Sequence, residues 1–153
     1  MQTWPVVTLD GPSGVGKGTV GMRLAKHLQW HYLDSGALYR LVAWYAQQQG
    51  VSSNQESLPD LVSLVAGMQI DCCLDEAGQS YVLKLNGAIV PGDIRSEQCG
   101  QWASKIAVYE EVRAALHGVQ HACCRAPGLV ADGRDMGSDI FPQAQHKFFL
   151  VTT

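Results

Sequence analysis

Apolar and polar positions alternate along this chain in three distinct rhythms, and the change of rhythm outlines the fold before any chemistry is considered. Val6 to Leu9 is a short apolar run closed by Asp10 and a cluster of glycines, as expected of a buried strand ending in a loop. From Thr19 to Leu28 the apolar residues Val20, Leu24 and Leu28 recur every fourth position, and Arg23, Lys26 and His27 fall elsewhere, which predicts an amphipathic helix packed on a sheet. Trp30 to Leu33 is a second short apolar segment, stopping at Asp34-Ser35-Gly36. Strand, helix and strand make a βαβ unit, so the strands are expected to run parallel. Leu38, Leu41, Val42 and Tyr45 predict a helix over Ala37 to Gln49 with Ser35 as its cap. Gly50 to Ser57 reads as a polar loop, and Leu58, Leu61, Leu64 and Val65 as a short helix.

Beyond it the period drops to two. Tyr81, Leu83 and Leu85 alternate with Val82, Lys84 and Asn86, and Asn86-Gly87 is a hairpin turn signal leading into Ala88 to Val90. With Gln69 to Leu74 and a turn at Asp75 to Gln79, this predicts an inserted antiparallel sheet of up to three strands. Helices follow at about Ser96 to Val108 and Glu110 to Cys124. Leu129 to Asp132 and Lys147 to Val151 return to buried-strand composition. The tryptophans Trp30, Trp44 and Trp102 are expected in the core.

Length and composition bound the answer. One domain is expected from 153 residues, and 46% apolar against 16% charged residues excludes a disordered chain. A net charge of −3 without any basic run argues against nucleic acid or a membrane surface as partner. The five cysteines include two adjacent pairs and no C-x-x-C, so no disulfide framework is expected. The longest apolar run, Leu41 to Ala46, is too short to span a bilayer, and a cytoplasmic protein is expected.

The chemistry is concentrated in Gly11-Pro12-Ser13-Gly14-Val15-Gly16-Lys17-Gly18-Thr19. Between a strand and a helix, glycines let consecutive N–H groups approach an anion, and the helix start adds its dipole. Lys17 adds a full charge. Gly11, Gly16 and Lys17 satisfy G-x-x-x-x-G-K, but Gly18 replaces the usual Ser/Thr. Of six arginines, Arg40, Arg113 and Arg134 lie in polar or glycine-bearing contexts, and guanidinium forks suit phosphate. Asp10 is expected to order a turn through backbone hydrogen bonds, not to act as a base. His117 and His121 share a helix face, but no second ligand pair accompanies them, so no metal site is expected.

Three segments carry a resemblance: the 11–19 loop, Leu33-Asp34-Ser35-Gly36-Ala37-Leu38-Tyr39-Arg40, and Ala131-Asp132-Gly133-Arg134-Asp135-Met136-Gly137. In this order they resemble the hallmark segments of bacterial cytidylate (CMP/dCMP) kinases, a family of P-loop nucleoside monophosphate kinases that also writes its loop G-K-G-T. The resemblance implies an α/β fold, an open parallel sheet flanked by helices, with an inserted acceptor-binding subdomain over 36–126 between core segments 1–35 and 127–153. It implies transfer of the ATP γ-phosphate to CMP or dCMP, with Mg²⁺ carried by ATP. The residues of the 11–19 loop would hold ATP, with Lys17 catalytic, and Ser35, Arg40, Ser104, Arg113, Asp132, Arg134 and Asp135 would form the acceptor pocket. By the same resemblance the chain is expected to stop short of a lid, a last strand and a closing helix. Weak or no turnover, and a monomer or a complementing carboxyl-terminal fragment, are then expected. Two other readings stand beside it: a non-catalytic nucleotide-binding fragment, and another small-molecule P-loop kinase.

Overall fold

Four β-branched or leucine side chains in a row need burial on both faces, and in the computed structural model Val6–Asp10 (β1) lies inside a four-stranded parallel sheet. The structure describes residues 4–12, 15–75, 77 and 80–151. Lys17–Leu28 (α1) leads to His31–Asp34 (β2), then Ser35–Gln48 (α2) and Leu58–Ala66 (α3). Ile70–Leu74 (β3), Tyr81–Leu85 (β4) and Ala88–Ile89 (β5) form a second sheet, followed by Glu97–Ala107 (α4) and Glu110–His121 (α5). Leu129–Gly133 (β6) and His146–Phe149 (β7) complete the parallel sheet, with a turn of π-helix at Met136–Ile140 between them.

The parallel sheet has the order β2-β6-β1-β7. β6 therefore fills the place between β1 and β2, with Val6 opposite Leu129 and His31 also opposite Leu129. The segment after β1 leads to β2, beyond β6, and the segment after β6 leads to β7, beyond β1. Neighbouring strands whose connections diverge in this way leave a crevice outside their carboxyl ends, where open α/β sheets bind ligands. The second sheet has the order β3-β4-β5, with β4 and β5 antiparallel around Asn86-Gly87, both at positive φ (51° and 87°). The hairpin expected from the Asn-Gly pair is present. The turn expected at Asp75 to Gln79 falls largely outside the described residues.

The chain divides into two compact units. The first comprises Met1–Ser35, Asp71–Leu83 and Gln120–Thr153 and contains the parallel sheet. Its core gathers Val7, Leu9, Ala25, Tyr32 and Val130, with Leu24, Leu28, Trp30, Cys72, Tyr81 and Leu150 packed against them. The second comprises Gly36–Ile70 and Lys84–Val119, where Leu41, Val42, Leu61, Val65, Val112 and Leu116 are fully buried.

Four expectations need correction. α1 buries Gly21 and Ala25, whereas Val20 is 45% exposed. Close approach explains it: a Cβ on Gly21 would stand 2.9 Å from the Tyr32 ring, so the helix meets the sheet through its small residues and turns Val20 outward. Ser35 is the first residue of α2 and not a cap before it. The tryptophans are half-buried, Trp30 at the margin of the core. β7, expected to be buried, exposes all four of its residues, because among the described residues it pairs with β1 alone and forms a sheet edge.

Candidate active site

Two backbone devices shape the loop between β1 and α1. Gly11 has φ +143° and lies against the Leu150 backbone, where a Cβ would collide with a carbonyl oxygen, so only glycine fits. Gly16, at φ 88°, is the left-handed residue that starts α1. The first helical backbone bond runs from Val20 N–H to Gly16 O at 3.0 Å, which leaves the N–H groups of the first turn facing the loop with the positive end of the helix dipole. Ser13 and Gly14 lie outside the described residues. Lys17, the first helical residue, donates from Nζ to Gly133 O at 2.9 Å, tying the loop to the end of β6.

A second tie comes from Asp10. Its Oδ1 accepts from Met136 N–H at 2.7 Å and its Oδ2 from Gly137 N–H at 2.9 Å. Asp10 therefore orders a turn through backbone bonds, as expected, but the turn lies more than a hundred residues away. Asp135 precedes it at φ 58°, a left-handed conformation that an aspartate tolerates better than most residues. The packing is tight. A Cβ on Gly133 would stand 2.8 Å from Ser35 Cβ, and one on Gly137 2.8 Å from Thr8 Oγ1. The glycines of Asp-Gly-Arg-Asp-Met-Gly thus let the β6 turn lie flat against the ends of β1 and β2.

Between these ties sits Asp132, 4% exposed, opposite Asp34 in the β2–β6 register. Its Oδ2 accepts a hydrogen bond from the Tyr32 hydroxyl. Burial pushes the Asp132 carboxyl up to about 6, opposed by the Tyr32 bond and by the charge of Lys17, while Asp34 and Asp10 push it further up. Tyr32 is itself raised well above the ordinary tyrosine range, by burial first and then by Asp132, so it stays protonated and donates. Sequence reasoning missed Tyr32 as part of this site. A phenol two positions before Asp34, on a strand otherwise read as core, was the available signal.

The remaining candidates separate between the two units. Lys17, Ser35, Asp132, Arg134 and Asp135 belong to the first, at the carboxyl ends of β1, β2 and β6, with Ser35 buried and Arg134 and Asp135 exposed. Arg40, Ser104 and Arg113 belong to the second. There Arg40 donates from Nη1 to Ile94 O at 2.9 Å and to Ser96 O at 3.0 Å, and its guanidinium covers Gly100, where a Cβ would stand 2.8 Å from Nη2. Arg113 donates from Nη1 to Ala107 O at 2.7 Å, at the carboxyl end of α4. Ser104 donates to Gly100 O at 3.1 Å within α4. Among the described residues no group of His, Cys, Asp or Glu is arranged to hold a metal. His121 instead donates from Nε2 to Ile140 O at 2.6 Å and packs edge-on against Phe141.

An open parallel sheet with a glycine-rich, lysine-bearing loop after its first strand defines a P-loop α/β protein with a small antiparallel insertion. The family model for cytidylate kinase matches residues 7–153. The chain belongs to the cytidylate kinase family. It is 47% identical over 149 residues to a cytidylate kinase of Nitrosococcus oceani, covering 97% of this chain and 65% of the relative. It is 46% identical to one of Shewanella denitrificans, covering 97% and 65%, and 49% identical to one of Pseudomonas fluorescens, covering 97% and 64%. The chain thus spans slightly less than two thirds of the length of these relatives.

Proposed function

We propose that this chain carries the nucleotide site of a (d)CMP kinase, transferring the γ-phosphate of ATP to CMP or dCMP to give CDP or dCDP. The observation that carries the reading is that the ends of β1, β2 and β6 bring Lys17, Ser35 and the 132–137 turn to one rim of the parallel sheet in a chain of this family. Phosphoryl transfer asks little covalent chemistry of a protein, and the need is for positioned donors and positive charge around the phosphates. The 11–19 loop supplies N–H groups, and Lys17 supplies the charge once it leaves Gly133 O for a phosphate oxygen. Arg134, exposed on the β6 turn, is the guanidinium proposed for the acceptor phosphate, with Asp135 and Asp132 beside it. Arg40, Ser104 and Arg113, in the second unit, are proposed as further acceptor-binding residues. A core at 1–35 and 127–153 with an inserted subdomain over 36–126 is proposed as the division of labour, with 71–83 and 120–126 grouping with the parallel sheet. Mg²⁺ enters as part of the MgATP substrate.

Among the described residues no helix is long and apolar enough to cross a membrane, and a cytoplasmic, monomeric enzyme is proposed. The test is ADP formation from ATP with and without an acceptor. ADP that rises on adding CMP or dCMP, and less with AMP or UMP, supports the reading. ADP formation indifferent to the acceptor would overturn it in favour of another use of the phosphate loop.

A further inference from the structure

Asp132 would be a poor place for a charge without help, because it is buried at the end of a central strand within the fields of Asp34 on β2 and Asp10 on β1. Two groups compensate. Lys17 on α1 lies on the neighbouring carbonyl of Gly133, and the Tyr32 hydroxyl is bonded to Oδ2. Tyr32 reaches it across the sheet: it pairs with Val130, so Asp132 is its diagonal neighbour two residues on. The phenol is held from behind. Its ring stands 5.6 Å from that of Tyr81, whose own hydroxyl donates to Trp30 O at 2.7 Å, and Cys72 packs on the same core. In front, Gly21 leaves the space, since a Cβ there would stand 2.9 Å from Tyr32 Cε1 and 3.3 Å from Asp132 Oδ2. A tyrosine anchored on one side and given room on the other by a glycine does more than fill volume.

We propose that Tyr32 is a positioning residue for Asp132, holding one carboxylate oxygen so that the buried group stays ionised and oriented at the rim beside Lys17. Its consequence for catalysis rests on the (d)CMP kinase reading; the pairing itself does not. Hydrogen bonding to the charged form favours that form, and the bond opposes the burial that drives the carboxyl up to about 6. Tyr32→Phe removes one oxygen and keeps the ring. The Asp132 midpoint should then rise by about one pH unit, the size expected for losing a hydrogen bond to a charged group.

The experiment is a carbon-detected NMR titration of side-chain carboxyls between pH 4 and 8.5, in the 153-residue chain, Tyr32→Phe and Asp132→Asn, the last assigning the Asp132 signal by its disappearance. An upward shift of that midpoint in Tyr32→Phe is the expected result, and equal midpoints in both proteins would overturn the proposal. The unaltered chain provides a check that no folding defect can obscure. The Tyr32 ring carbon bearing the hydroxyl should move with the Asp132 midpoint, and a Tyr32 signal flat through that range would also overturn it. If ADP formation depends on CMP, its acid limb should move up in Tyr32→Phe by the same interval, a change that mere loss of packing would not produce. The comparison cancels titration of the nucleotide phosphates. CMP-independent ADP formation together with a shifted carboxyl would count against the kinase reading and leave the pairing supported.

Discussion

The two units hold their candidate residues in different ways. In the first, polar side chains join segments far apart in the chain: Lys17 bonds to Gly133, Asp10 to Met136 and Gly137, and Tyr32 to Asp132. In the second, Ser104 and Arg113 bond to carbonyls four and six residues away, and Arg40 ties α2 to the segment before α4. Long-range ties of the first kind build the sheet rim, so removing them should disturb fold and ligand together. The local tie of Arg113 leaves most of its guanidinium donors for other work, so removing that side chain should change binding more than stability, whereas Arg40, which spans more than fifty residues, also supports the fold of its unit.

The sharpest break in that comparison is at Lys17. On the proposed kinase reading, Lys17→Ala is expected to lower CMP-dependent ADP formation by ~10²-fold or more, because it removes the charge proposed to face the transferring phosphate. Steady-state rates at saturating ATP check it, and a loss under tenfold would remove Lys17 from its assigned role. Asp10→Ala should act on the fold itself. Two backbone N–H groups lose their acceptor, and destabilisation of about 2–3 kcal/mol is expected in urea unfolding. By contrast, Arg113→Ala should cost under about 1 kcal/mol in the same measurement, in line with a single exposed bond to Ala107 O.

Much of this contrast could be read from residue order. The glycine loop, the Asn86-Gly87 hairpin and the βαβ beginning have local causes: left-handed glycines, a type of turn, a period of side chains. Asp10 as a backbone-ordering carboxylate was legible in kind but not in partner, since nothing near Asp10 in sequence points to Met136 and Gly137. Val20 was misjudged because four-residue spacing counts apolar residues and is blind to the close approach that Gly21 and Ala25 permit. β7 was misjudged because composition reports what a strand could bury, whereas position in the sheet order decides what it does bury. Tyr32 was invisible for a related reason, as its partner lies a hundred residues away on a strand that only the sheet order makes adjacent.

Asp132 sharpens the comparison through pH. Its carboxyl is raised from 3.8 to about 6, so between those values the folded chain binds more protons than the unfolded one, and stability falls as pH rises through that window. Asp132→Asn removes this term while keeping an oxygen for the Tyr32 hydroxyl. The fall in stability between pH 4 and 6 should therefore be smaller in the variant by ~2 kcal/mol, read from urea midpoints. Equal slopes would mean that Asp132 is not the buried acid described here. The first unit also carries a prediction on ligand preference. Arg134→Ala should weaken CMP by about tenfold and cytidine hardly at all in calorimetry, since the proposed partner is the phosphate.

The central claim is that phosphate is held where β1 and β6 end, and amide NMR of the chain titrated with MgATP tests it most directly. Shifts concentrated at 15–19 and 133–137, lost in Lys17→Ala, are the expected result. Shifts confined to the second unit, with Gly16, Lys17 and Gly133 unmoved at saturation, would contradict it.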